Sequence, residues 1–246
     1  MRFFRYAIAA GLIICSTTLG QQNDKEIIQL WKLAAEQGNA TAQYNLGVAY
    51  DNGRGVAKSH QEAAKWYRLA ADQGNAEAAY NLGVAYAEGQ GVLQSHVESV
   101  RWYRFSADQG HDNAQYNLGL AYLNGRGISK DPKEALRLIQ LAVKRGNSHV
   151  QAKLGEMYYK GEGTDQDEKA AAKWWKLASE QGHVGAQYNL GTMYFMGQGV
   201  PKDYLKAFQW YSRAAEQGNK NAIKGKSSVE KLMSPSQKDE LKRFKK

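Results

Sequence analysis

Proline is scarce, with 3 residues in 246, and cysteine occurs once, at Cys15. That cysteine lies within the first twenty residues, so the rest of the chain contains no thiol. Disulfides, thiolate metal sites and cysteine nucleophiles are thereby excluded from it, and cohesion must come from packing. Little proline beside 43% hydrophobic and 11% aromatic residues excludes disorder for most of the chain and provides a core for one or two ordinary domains. Acidic residues number 24 against 33 Lys and Arg, a formal charge of +9, but the excess sits at the ends. Residues 220 to 246 hold nine basic and three acidic residues, and Arg2 and Arg5 lie at the other end, which leaves +1 for residues 21 to 219. A nearly neutral body offers no clustered cations to a phosphate backbone, so nucleic acid is not expected as a partner.

Arg2 and Arg5 precede an apolar run, Tyr6 to Cys15, followed by small and polar residues ending Thr18-Leu19-Gly20. A basic start, a short apolar stretch and small residues at the cleavage positions describe a secretory signal peptide over residues 1–20, cleaved near Gly20. The run is well short of the ~20 apolar residues that span a bilayer, which argues against an uncleaved anchor. Ile14 before Cys15, inside the apolar stretch, argues against a lipidation site. Export is therefore expected, to the periplasm or beyond, and an exported chain without disulfides fits a bacterial envelope protein.

Self-comparison reveals a period of 36. Tyr44-Asn45-Leu46-Gly47 recurs as Tyr80-Asn81-Leu82-Gly83, Tyr116-Asn117-Leu118-Gly119 and Tyr188-Asn189-Leu190-Gly191, with Leu154-Gly155 in the remaining unit. Tyr50, Gly53 and Gly55 repeat in the same register, and five units fill residues 40–219 without an insertion. Each unit reads as two helices. Ala42, Leu46, Ala49 and Tyr50 form an apolar stripe at helical spacing, and the Gly53-Arg54-Gly55 loop stops that helix. Ser59, Ser95, Asp131, Asp167 and Asp203 are the expected N-caps of the second helices, with Glu62, Glu98 and Glu134 completing capping boxes. Aromatic pairs such as Trp66-Tyr67 then place Trp66, Trp102, Trp174 and Trp210 between helix pairs as buried residues. Projected backwards, the register makes Asn23 an N-cap with Glu26 as box partner, so residues 21–39 form an N-terminal capping helix. Projected forwards, residues 220–246 form a basic helical cap in which Ser234-Pro235 opens the last helix. One helix pair cannot bury its own apolar faces, so successive pairs must stack.

The unit Ala40 to Val56 (ATAQYNLGVAYDNGRGV), the GxGV loop, the Ala-rich aromatic second helix and the AAEQGN ending closely resemble the Sel-one-like repeat (SLR), a relative of the tetratricopeptide repeat. The resemblance covers residues 23 to 219. It implies an all-α fold, a right-handed superhelical α/α solenoid of helix-turn-helix repeats, and a non-catalytic scaffold or adaptor that binds a protein or peptide ligand in a concave groove. It further implies that the first helices line that groove through Tyr44, Val48, Tyr80, Val84, Tyr116, Leu120, Glu156, Tyr159, Tyr188 and Phe195. Those tyrosines either face the groove or pack between adjacent first helices. Asn45, Asn81, Asn117 and Asn189 stand where tetratricopeptide relatives bond a peptide backbone, or else they bond between repeats. Repeat four departs from both ladders with Ala152 and Lys153, which marks either a change of ligand register or drift.

Catalytic signatures are lacking: there is no GxSxG, HExxH, Walker-type loop or Rossmann fingerprint, and no cofactor is expected. The five GxG loops follow helices and have a capping role. His60 and His96, and His111 and His183, hold equivalent positions in different repeats, too far apart to share a metal. Ser228-Val229-Glu230-Lys231 matches SxxK, and cysteine-rich relatives of the repeat are associated with β-lactam binding, which makes a β-lactam- or cell-wall-acting enzyme the alternative. The partner motifs SDN and KTG are missing, as are the cysteines of those relatives. A monomer is expected, with membrane contact only through the basic C-terminal tail.

Overall fold

The computed structural model describes the backbone of residues 21–244 and the side chains of residues 26–241. The segment read as a signal peptide, residues 1–20, lies outside the described residues. The helices fall in two compact units, one ending at His111 and the other beginning at Asp112. The first holds α1 (Gln21–Glu36), α2 (Ala40–Asn52), α3 (His60–Asp72), α4 (Ala76–Glu88) and α5 (His96–Asp108). The second holds α6 (Asp112–Asn124), α7 (Pro132–Ala142), α8 (Ser148–Lys160), α9 (Glu168–Glu180), α10 (Val184–Met196), α11 (Tyr204–Glu216), α12 (Lys220–Leu232) and α13 (Pro235–Phe244). No strand occurs among the described residues, and the fold is the all-α helix-turn-helix repeat architecture. None of the described helices is long and apolar enough to cross a membrane.

Both ends of each pair are set locally. The second helices begin at Ser59, Ser95, Asp131, Asp167 and Asp203, whose side-chain oxygens accept amides of the first turn at 2.9–3.3 Å. The capping boxes do not form. The N–H of each cap residue donates instead to the carbonyl of the recurring tyrosine (Tyr50, Tyr86, Tyr122, Tyr158 or Tyr194) at 2.9 Å. Glu62, Glu98 and Glu134, left without that donor, pair along the helix with Lys65, Arg101 and Arg137. A reciprocal box occurs at α13, where Gln237 N donates to Ser234 Oγ at 3.2 Å and Ser234 N to Gln237 Oε1 at 3.0 Å. Asn23 is not a cap either, because α1 is already helical at Gln21. First helices are capped by residues that sequence reasoning passed over: Asn39, Asn75, Asn147 and Asn219, with His183 Nδ1 accepting from Ala186 N at 3.1 Å in the same role.

Packing inside each pair turns on one glycine. A Cβ on Gly47, Gly83, Gly155 or Gly191 would lie 2.6–2.8 Å from the ring of Tyr67, Tyr103, Trp175 or Tyr211, and Gly119 meets Ile139 in the same way. The second residue of each aromatic pair therefore reaches the core, and all four are buried, as is Ile139 of the Leu138-Ile139 pair. The first residue is shallower than expected. Trp66, Trp174 and Trp210 are half-buried, and only Trp102 sinks to 5% exposure, flanked by the guanidiniums of Arg68 and Arg101. The tryptophans do lie between helix pairs, since Trp66 packs on the α1–α2 cluster and Trp102 joins that of α3 and α4.

Buried glutamines tie the pairs together. Gln43 donates to Ala35 O at 3.1 Å and accepts from Gln73 at 2.6 Å. Gln187 does the same with Ser179 O and Gln217, and Gln151 accepts from Gln181 at 2.7 Å. Gln43 and Gln187 thus each reach a carbonyl near the end of the preceding second helix, one that also accepts a backbone amide of the turn. The second glycine of the loop also serves the neighbouring repeat: a Cβ on Gly91 would lie 2.1 Å from His60 O, and one on Gly163 2.1 Å from Pro132 O.

Candidate functional site

The first helices present the nominated tyrosines and asparagines as half-buried side chains. In the first unit, Tyr44 leans on Tyr67 with ring centroids 6.2 Å apart, and Tyr80 leans on Tyr103 at 6.0 Å. Tyr80 also stacks on His111 at 4.6 Å, and His111 Nε2 lies 2.9 Å from Glu77 Oε2. Burial, reinforced by Glu77, raises the Tyr44 hydroxyl above its ordinary range, while a hydrogen bond with Asn81 opposes the rise. Tyr67, raised more strongly by burial and by Asp51, shares Asn81 as a hydrogen-bonding partner. Asn81 of repeat two therefore lies beside the tyrosine hydroxyls of repeat one. Asn45 and Val84 are half-buried on the same helices, and Val48 packs against the core of the unit.

In the second unit, Tyr188 repeats the pattern against Tyr211 at 5.7 Å, and Tyr211 Oη lies 3.0 Å from Thr192 Oγ1. Phe195 turns to Tyr204 at 5.9 Å and packs into the cluster formed with α11, α12 and α13. Leu120 packs with the α7–α8 core, and Asn117 beside it is half-buried. Tyr159 rests on Trp175 at 5.3 Å and donates to Gln198 Oε1 at 3.4 Å.

Repeat four breaks the ladder, and there the surface opens into a cleft of about 350 Å³. Ala152 stands where the other four repeats carry tyrosine. Trp175 is buried below it, its ring pressed on Gly155 and its Nε1–H donating to Ala152 O at 3.1 Å. Tyr116 and Asn189 form two further parts of the lining. Burial, followed by the charge of Glu156, raises the Tyr116 hydroxyl. On Glu156 itself burial pushes the carboxyl up, but hydrogen bonds from Lys160 and Lys153 outweigh it and hold the group below its ordinary range. The lining also includes His149 and His183, edge to face at 4.9 Å. Burial and then His149 depress His183, which is consistent with a neutral ring whose Nδ1 caps α10. No group of three or more His, Cys, Asp or Glu suited to a metal occurs among the described residues.

Of the nominated side chains, Tyr116, Glu156 and Asn189 meet at this cleft. His149 was expected on the concave face from its register position, whereas Trp175, Lys153 and His183 were not nominated for it. The signal available for them was the break in the ladder at Ala152-Lys153. Ser228 of the SxxK match is exposed on α12 and donates to Lys224 O at 3.1 Å, an ordinary intrahelical bond.

The model of the Sel1 repeat matches residues 21–39, 40–75, 76–111, 112–147, 148–183 and 184–219. Among solved structures, the chain is similar to a Sel1 repeat protein from Oxalobacter formigenes, with 34% identity over 86% of this chain and 84% of that one and a TM-score of 0.76. It is also similar to a protective antigen present in uropathogenic Escherichia coli strains that displays an SLR fold, with 38% identity and a TM-score of 0.76. That match covers 79% of this chain but only 42% of the antigen's length. No curated protein matches the chain. Sel1 repeat proteins are in general scaffolds for protein–protein interaction, and the chain belongs to the Sel1 repeat family.

Proposed function

We propose that this chain is an exported, non-catalytic scaffold of the bacterial envelope that binds an extended segment of a partner protein across the first helices of its second unit. The observation that carries the proposal is the cleft at repeat four, where an aromatic floor and wall, Trp175 and Tyr116, lie beside the amide of Asn189. Rigid aromatics in a recess with a few polar groups are the side chains that dominate protein interfaces. Selection of displayed peptides on residues 21–246, followed by anisotropy titration of the enriched peptides, tests it. Tyr116→Ala with Asn189→Ala is expected to weaken binding by roughly tenfold or more, about 1.4 kcal/mol, with melting unchanged. If the double variant binds normally, while high salt or removal of residues 238–246 abolishes binding, the basic tail carries recognition by charge and the proposal fails.

A further inference from the structure

We infer that the cleft of repeat four is a receptor for one tyrosine side chain of the partner segment, seated where the fold's own tyrosine is missing. The inference deepens the proposed function and rests on it for the identity of the ligand as a protein segment.

The chain itself shows what fits. At this register position, repeats one, two and five place Tyr44, Tyr80 and Tyr188 against the second aromatic of their own pair, with centroids 5.7–6.2 Å apart and planes tilted 33–37°. In repeat one the amide of Asn81 of the following repeat lies beside the hydroxyl of that tyrosine. Repeat four retains both halves of this receptor. Trp175 occupies the position of the second aromatic and is fixed by Gly155 and by its hydrogen bond to Ala152 O. Asn189, one repeat further on, is the register equivalent of Asn81 and lines the cleft. The ring of this register position is absent because residue 152 is alanine, and Trp175 carries the ring of Tyr159, seven residues on, at 5.3 Å.

The space suffices. An apolar cavity of ~150 Å³ accommodates a benzene ring, and this cleft measures about 350 Å³. A phenol side chain combines a ring able to lie tilted on Trp175 with a hydroxyl in reach of an amide, the pairing that the fold already uses. Of the charged groups at the site, Lys153 and Lys160 both pair with Glu156, which leaves a formal charge of +1.

The probes are p-cresol and toluene, which differ by the hydroxyl, and the capped tripeptides acetyl-Gly-Tyr-Gly-amide and acetyl-Gly-Leu-Gly-amide. Each is titrated into residues 21–246, and the NMR signals of Trp175 Nε1–H and the Asn189 amide are followed. p-Cresol and the tyrosine peptide are expected to shift both signals, and the leucine peptide neither. Ala152→Tyr, which returns the chain's own ring, is expected to weaken p-cresol roughly tenfold or more, and Ala152→Leu gives a second filled variant should the first fail to fold. Asn189→Ala is expected to weaken p-cresol by about three- to tenfold, the worth of one hydrogen bond, and to leave toluene unchanged. Unaltered p-cresol binding in both filled variants overturns the inference, as does the absence of any shift at Trp175. Should selected peptides bind in a Tyr116- and Asn189-dependent way yet ignore Ala152→Tyr, the scaffold stands and the tyrosine receptor falls. Should p-cresol bind as expected while no peptide is ever selected, the receptor stands and the scaffold falls.

Discussion

Replacing Gly91 by alanine tests how tightly one repeat is docked on the next. Gly91 is the second glycine of the loop after α4 and has φ +72°. A Cβ there would lie 2.1 Å from the carbonyl oxygen of His60 and 2.5 Å from Gln61 N, backbone atoms at the start of α3 in the preceding repeat. Gly74 provides the control, since its φ is +96° and a Cβ on it meets nothing within 4 Å. Left-handed backbone costs an alanine ~1–2 kcal/mol, and both variants carry that cost. Ordinary carbon contacts sit at ~3.5–4.0 Å, so at Gly91 the loop must retreat by over ~1 Å from a helix end that cannot yield. Overpacking of this kind adds ~1–3 kcal/mol. Gly91→Ala is therefore expected to lose about 2 kcal/mol more than Gly74→Ala in urea unfolding followed by circular dichroism at equal m-values. If the two variants differ by less than ~0.5 kcal/mol, the loop has slack and the docking of repeats does not depend on that glycine.

The tryptophans are expected to separate by depth: Trp102→Ala should cost ~3–5 kcal/mol, and Trp66→Ala clearly less, because Trp102 is buried and Trp66 half-buried; equal losses in urea unfolding would contradict this. His183 is held below its ordinary value, so its stabilising contribution is complete above about pH 6.5 and is lost as the pH falls through that value toward the folded one. The melting temperature is expected to drop more between pH 7.5 and 5.5 than in His183→Asn, which supplies the cap used by other repeats; parallel curves would refute it. Intact mass of the exported protein is expected to place the mature N-terminus within two or three residues of Gln21, and retention of residues 1–20 would refute cleavage.

The period, the two helices of each unit and the caps of the second helices were legible in the sequence because they depend on short-range chemistry. A serine or aspartate caps an amide three residues away, and Gly53 ends α2 through its own backbone angle, φ +72°. The capping boxes failed because the amide of Ser59 goes to Tyr50 O, an acceptor brought near by the turn between helices and invisible to an i to i+3 pattern. Gln43 and Gln73 lie 30 residues apart, and their pairing exists only once α1, α2 and α3 are packed. Which aromatic of each pair would be buried was likewise decided by the approach of Gly47 to Tyr67, an effect of helix contact rather than of composition. The break at Ala152 was visible in the register, but that it opens a cleft depended on Trp175 staying in place beneath it. A deleted ring leaves a cleft only where rigid neighbours do not collapse, and Gly155, the indole hydrogen bond to Ala152 O and the close packing of α8 on α9 supply that rigidity through tertiary contact alone.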